Sequence, residues 1–124
     1  MSNHKLRVRR LFAGDGRSLL IALDHLSRPG AGVRMHDPGK ILREVDAAGV
    51  DGVLLRAGVA RNHAKDLGRT SLVLSHPRDF GEGSSGVELA LRLGADAIKT
   101  EVLPGSSVEP RSVANFAALA AECD

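Results

Sequence analysis

The chain has no tryptophan, no tyrosine and only three phenylalanines, Phe12, Phe80 and Phe116. Platforms on which bases could stack are therefore nearly absent, which argues against single-strand nucleic-acid binding. A formal charge of +2 is too small to argue for nucleic acid by itself. A single cysteine, Cys123, excludes an intrachain disulfide and a cysteine-based metal site, and suits a reducing cytoplasm. No apolar run approaches the length of a membrane span, so no membrane partner is expected. The basic start MSNHKLRVRR lacks the clean apolar stretch that a secretory signal needs.

What is present reads as one globular domain. Hydrophobic residues make up 43% of 124, enough for a core of ordinary size. Residues 1–18 read as a lead-in, with 4–10 a solvated basic arm or a short helix and Ala13–Gly16 a turn; 19–124 read as the domain. Leu19–His25, LLIALDH, is a short apolar run ending on an acid and an imidazole, and is expected to be a buried central strand.

Strand and helix then alternate. Asp37-Pro38 opens a helix with Ile41, Leu42, Val45 and Ala48 on its apolar face, ended by Gly49. Asp51–Arg56 is a second strand, followed by a helix over 58–67. Ser71–His76 is a third, followed by a helix from Ser85 or Gly86 to Gly94. Ala95–Val102 is a fourth, followed by a helix over Glu109–Cys123 with Val113, Phe116, Ala117 and Ala120 inward. Four strand–helix units predict an α/β fold with parallel strands and helices outside. A complete (β/α)8 barrel takes about 250 residues. The expected fold is thus a partial TIM barrel, a (β/α)4 half-barrel.

In such folds the chemistry gathers at the carboxyl ends of the strands. Strand alternation groups Leu20, Ala22 and Asp24; Gly52, Leu54 and Arg56; Leu72, Leu74 and His76; and Ala97, Lys99 and Glu101. Asp24, Arg56, His76 and Lys99 are then expected at one rim. A carboxylate, a guanidinium, an imidazole and an amine there can do acid–base work on a phosphorylated or carbonyl substrate. His25 points away from Asp24 and reads first as a loop hydrogen bonder. Lys99 is costly in mid-strand unless paired, and Glu101 is the expected partner. The loops 27–36 and 77–83 leave the same rim and are candidate ligand covers. Pro104–Ser107 before the last helix could hold a phosphate. The helix acids, Glu44 and Asp46 among them, read as solvated.

The runs LFAGDGRSLLIALDH, ILREVDAAGVDGVLLRAGVAR and SSGVELALRLGADAIKTEVLPGS resemble the N-terminal half of the DhnA-type class I aldolases, over residues 11 to about 120. That family includes archaeal-type fructose-bisphosphate aldolases and an aldolase of phosphorylated autoinducer-2. The resemblance implies carbon–carbon cleavage of a phosphorylated sugar or ketose through a lysine imine, with no metal and no cofactor. It implies an active-site aspartate at the end of the first strand, which Asp24 matches. It places the imine lysine on the sixth strand and the phosphate loops after the seventh and eighth. Lys99, on the fourth, would be a site lysine of another kind. The family usually has glycine after the Asp-His pair, where this chain has Leu26. The expected site is Asp24 and Lys99 as catalytic residues, with Arg56, His76 and His25 binding substrate. The expected protein is a truncated or split aldolase that is a homo-oligomer or pairs with a complementary half-barrel chain. The alternative is a non-catalytic (β/α)4 module binding a small phosphorylated ligand or a partner chain.

Overall fold

A computed structural model describes residues 5–27, 36–76 and 86–124. The two candidate covering loops lie almost wholly outside the described residues. Four strands, β1 (Leu20–Ala22), β2 (Gly52–Arg56), β3 (Ser71–Ser75) and β4 (Ala97–Lys99), form one parallel sheet in the order β1-β2-β3-β4. The helices are α1 (Leu6–Arg10), α2 (Pro38–Ala47), α3 (Ala57–His63), α4 (Gly86–Arg92) and α5 (Glu109–Cys123). Strand order follows chain order, as in one side of a barrel. The half-barrel is the fold. None of the described helices is long and apolar enough to cross a membrane.

Local chemistry explains the elements. Asp37 caps α2 by accepting the Lys40 N–H at 2.9 Å, and Pro38 takes the first turn, where its missing N–H does no harm. The helices preceding β2 and β4 both end ahead of a glycine at positive φ, Gly49 at 75° and Gly94 at 73°. Each lies in the left-handed region that other residues avoid, and each turns the chain back into the sheet.

Register fixes the two faces of the sheet. Leu20 pairs with Gly52, Ala22 with Leu54, Arg56 with Ser75, and Ser75 with Lys99. Partners in register share a face. The inner, concave face therefore carries Leu20 and Ala22; Gly52, Leu54 and Arg56; Ser71, Val73 and Ser75; and Ala97 and Lys99. The outer face carries Val53, Leu55, Leu72 and Leu74, which join Leu42, Ala60 and Ala90 of the helices in the core. Leu42, Leu55, Leu74 and Val53 are the largest side chains shut off from solvent. Each stabilises the fold by about 1.5–3 kcal/mol.

The basic start forms the short helix α1. Arg7 donates to the Ala95 carbonyl at 2.6 Å, Arg10 pairs with Asp96 at 3.0 Å, and the Arg10 carbonyl accepts from Ser71 Oγ at 3.1 Å. These contacts seat α1 where β3 and β4 begin, with Leu11 buried.

Several expectations need correction. Among the described residues β1 stands at the edge of the sheet rather than at its centre, and Leu19 and Leu20 are exposed. The strand ends at Ala22, and Asp24 opens a 3-10 turn over Asp24–Ser27. The stripe Val113, Phe116, Ala117 and Ala120 of α5 faces outward; Ser112 and Leu119 are the buried positions. The most apolar stripe is the expected inner one, but α5 is turned so that among the described residues this stripe is exposed. Ala48 at the end of α2 is exposed as well. Asp46 is not a solvated acid: its Oδ1 accepts from the Arg69 N–H, the Thr70 N–H and Thr70 Oγ at 2.8–2.9 Å. It fastens α2 to the entry of β3.

Candidate active site at the carboxyl rim

Asp24 lies just beyond the end of β1, almost buried. Its Oδ2 accepts two hydrogen bonds, from Ser75 Oγ at 2.7 Å and from Lys99 Nζ at 2.8 Å. Lys99 Nζ also donates to Glu101 Oε1 at 3.2 Å. The four residues come from the ends of β1, β3 and β4 and the segment after β4. Arg56, at the end of β2, donates from Nε to the main-chain carbonyl of Asp24 at 3.2 Å. All four strands thus supply one group to one small area of the rim.

The electrostatics follow from these contacts. Burial works against an ionised Asp24, but the hydrogen bonds from Lys99 and Ser75 outweigh it, and the carboxyl is held below its usual range. The hydrogen bond to Asp24 raises the Lys99 ammonium above its usual value against the opposing effect of burial, and Glu101 adds to the rise. Both charges are fixed: a carboxylate and an ammonium joined by a short hydrogen bond.

The rim brings together three of the five expected site residues. Asp24, Lys99 and Arg56 meet there. His76 does not. Ser75 points to Asp24, so the next residue points to the helix side, where a Cβ on Gly86 would stand 2.9 Å from His76 Cδ2. The expected inner face of the third strand is one residue out of phase with the structure, because Leu72, Leu74 and His76 look like a face that ends in a polar group. The face that lines the interior is Ser71, Val73 and Ser75. Register supplies the missing signal, since Arg56 pairs with Ser75 rather than with His76. His25 is exposed in the 3-10 turn. Ser75 was missed altogether. A serine just before a strand-ending histidine gives no signal until the pairing of β2 and β3 is known.

The segment before α5 is also settled. The Gly105 N–H donates to Glu109 Oε2 at 2.7 Å, and Ser106 Oγ donates to the Leu103 carbonyl. Glu109 thus takes up one of the N–H donors of this turn. Among the described residues no group of three histidines, cysteines or acids stands close enough to hold a metal ion.

A parallel sheet with its strands in chain order and helices outside it is half of a (β/α)8 barrel. Comparison with known proteins narrows the class. No family model matches the sequence. The 2-amino-4,5-dihydroxy-6-oxo-7-(phosphonooxy)heptanoate synthase of Streptomyces griseus is 34% identical over 96% of this chain and 47% of its own length. The class 1 fructose-bisphosphate aldolase of Thermoproteus tenax is 34% identical over 88% of this chain and 46% of its own length. Among solved structures, a Schiff-base-forming fructose-1,6-bisphosphate aldolase superposes with a TM-score of 0.70 at 27% identity, covering 94% of this chain and 51% of that one. An archaeal fructose-1,6-bisphosphate aldolase, solved with its catalytic lysine bound to the carbinolamine intermediate, gives 0.71 over the same shares. The chain is homologous to the DhnA-type class I aldolases, in the manner of their N-terminal half. It spans about half the length of the curated relatives it matches.

Proposed function

We propose that this chain carries the aspartate side of a class I aldolase site that acts on a phosphorylated sugar or ketose, and that the imine lysine is supplied from outside residues 5–124. The observation that carries the reading is the bonding of Lys99. An imine nucleophile must present a neutral amine with a free lone pair. Lys99 is held as an ammonium between Asp24 and Glu101. It serves instead as the counter-charge that keeps Asp24 ionised. An ionised Asp24 can accept a hydrogen bond or a proton from a substrate hydroxyl. Among the described residues the terminal amines of Arg56 have no partner, and a guanidinium is well suited to a phosphate. The aldolase relatives support this chemistry; which sugar is taken is left to the experiment.

Borohydride trapping with dihydroxyacetone phosphate or fructose 1,6-bisphosphate tests the nucleophile. The chain should gain no mass at Lys99. A stoichiometric adduct mapped to Lys99 and lost in Lys99→Met would overturn the assignment. An NMR titration with dihydroxyacetone phosphate tests the ligand. Signals of Asp24, Arg56 and Lys99 should move together, and Arg56→Met should weaken the response. If binding survives that substitution, Arg56 is not the phosphate ligand.

The same bonding pattern favours one second reading. With its rim lysine held by two carboxylates, the chain can act as a non-catalytic (β/α)4 module that binds a phosphorylated small molecule. Addition of a complementary half carrying a lysine strand separates the two: aldol cleavage should appear under the first reading and stay absent under the second.

A further inference from the structure

Lys99 is held by two carboxylates of different origin. Asp24 comes from beyond β1, and its Oδ2 lies 2.8 Å from Lys99 Nζ. Glu101 belongs to the lysine's own segment, two residues on, and its Oε1 lies 3.2 Å from the same nitrogen. The two acids face different demands. Asp24 is almost buried and shares its Oδ2 with Ser75. It is also the group proposed to meet the substrate hydroxyl. When Asp24 takes the proton of that hydroxyl, the proton bonds to the carboxylate and the electron pair stays on the hydroxyl oxygen. Lys99 then loses its nearer carboxylate. A lysine released to the neutral amine at that moment is a nucleophile. The Lys99 side chain is 32% exposed, so it is open to small molecules.

We propose that Glu101 is a positioning residue that keeps Lys99 an ammonium beside Asp24 through that change, and so keeps the rim lysine from taking the substrate carbonyl; this rests on the imine lysine lying elsewhere. An ammonium on a flexible four-carbon stem is poorly fixed by a single partner. Residues i and i+2 of an extended segment share a face, so Glu101 stays beside Lys99 whatever Asp24 does. Arg56, the other cation at these strand ends, is tied by Nε to the Asp24 main-chain carbonyl and supplies no anion. A carboxylate beside an amine favours the charged form. Glu101 acts in the same direction as Asp24 in raising the lysine above its usual value, so losing it lowers that value.

Trace labelling with acetic anhydride, mapped by mass spectrometry, reports how much of each lysine is a neutral amine. In the unaltered chain Lys99 should label with a pH midpoint above the usual lysine value. In Glu101→Gln its labelling at about pH 8 should rise about tenfold, the equivalent of one pKa unit, and Glu101→Asp should restore part of the protection. Borohydride trapping with dihydroxyacetone phosphate should then give an adduct at Lys99 in Glu101→Gln and none in the unaltered chain. Unchanged labelling in Glu101→Gln, a rise that Glu101→Asp does not reverse, or a rise without an adduct would each overturn the role of Glu101 and leave the imine lysine where it was placed. An adduct at Lys99 in the unaltered chain would instead overturn the reading beneath it. The midpoint of the unaltered chain needs no variant. A value at or below the usual lysine range would overturn the proposal even if Glu101→Gln failed to fold.

Discussion

Lys99 Nζ stands 2.8 Å from Asp24 Oδ2, although the two residues belong to opposite edges of a four-stranded sheet. Three strand spacings amount to about 14 Å in a flat sheet, more than these two side chains can bridge. The roll of the sheet and the 3-10 turn that carries Asp24 against β2 together close that gap. The contact joins residues 75 positions apart in the chain.

Removing that contact should be costly at neutral pH and cheap in acid. Lys99→Met should destabilise the chain by about 1.5–3 kcal/mol near pH 7, the range for hydrogen bonds to charged groups. The sign follows from linkage. Asp24 has a lowered folded pKa, so its contribution is present above the usual carboxylate pKa and is lost as pH falls through the folded value. Lys99 has a raised one, so its contribution is present below the usual lysine pKa and is lost as pH rises through the folded value. Urea titrations across pH should show the wild-type advantage flat from about pH 5 to 9 and shrinking on either side. An advantage that grew below pH 4 would contradict the pairing.

Ser75→Ala should leave the ion pair in place but remove one of the two hydrogen bonds to Asp24 Oδ2. The expected loss of stability is about 1 kcal/mol. Carbon NMR of the Asp24 carboxyl should report an upward move of its pKa, and Ser75→Thr should restore part of it. A role for Ser75 in packing alone would leave that titration where it was.

Asp46 should matter more than its place on a helix surface suggests. Asp46→Ala strips acceptors from two main-chain N–H groups and a hydroxyl at the start of β3. By analogy with helix caps the loss should be about 1–2 kcal/mol, with Asp46→Asn milder because its carbonyl oxygen still accepts. Thermal melts of the two variants give the order. Equal losses would mean that the charge, not the acceptor, is what counts.

Gly86→Ala tests the packing of His76. The new methyl group would meet the imidazole at 2.9 Å from Cδ2 and 3.1 Å from Nε2, with Ile98 Cδ1 at 3.2 Å. The ring is buried and has little room to yield, so a loss of about 1–3 kcal/mol is expected. If the variant melts like the wild type, the ring is looser than its burial implies.

The fold was legible because strand–helix alternation is a one-dimensional signal. The helix over Glu109–Cys123 was placed to the residue, and Asp37-Pro38 announced its own cap. The phase of each element was harder, because it depends on neighbours that the sequence does not list beside it. On β1, β2 and β4 the polar end group and the inner face agreed, so Asp24, Arg56 and Lys99 fell together. On β3 a buried His76 mimicked a rim residue, and the serine that reaches Asp24 was passed over. On α5 the apolar stripe was real, but its direction was not, since hydrophobicity says that a surface is to be covered and not by what. Asp46 was hidden for a related reason: its partners are main-chain N–H groups, which no side-chain pattern records.

The neighbour-to-neighbour strand order has a kinetic meaning. β2 pairs with β1, β3 with β2 and β4 with β3, so the sheet can be assembled by successive closures of modest loops in the order the chain is made. The Asp24–Lys99 contact needs all three closures to be complete before its partners meet, so it should form after the rate-limiting step. Substitutions at Lys99 would then hasten unfolding while leaving the folding rate almost untouched. The ion pair acts as a latch on the lifetime of the native state rather than as a guide to reaching it.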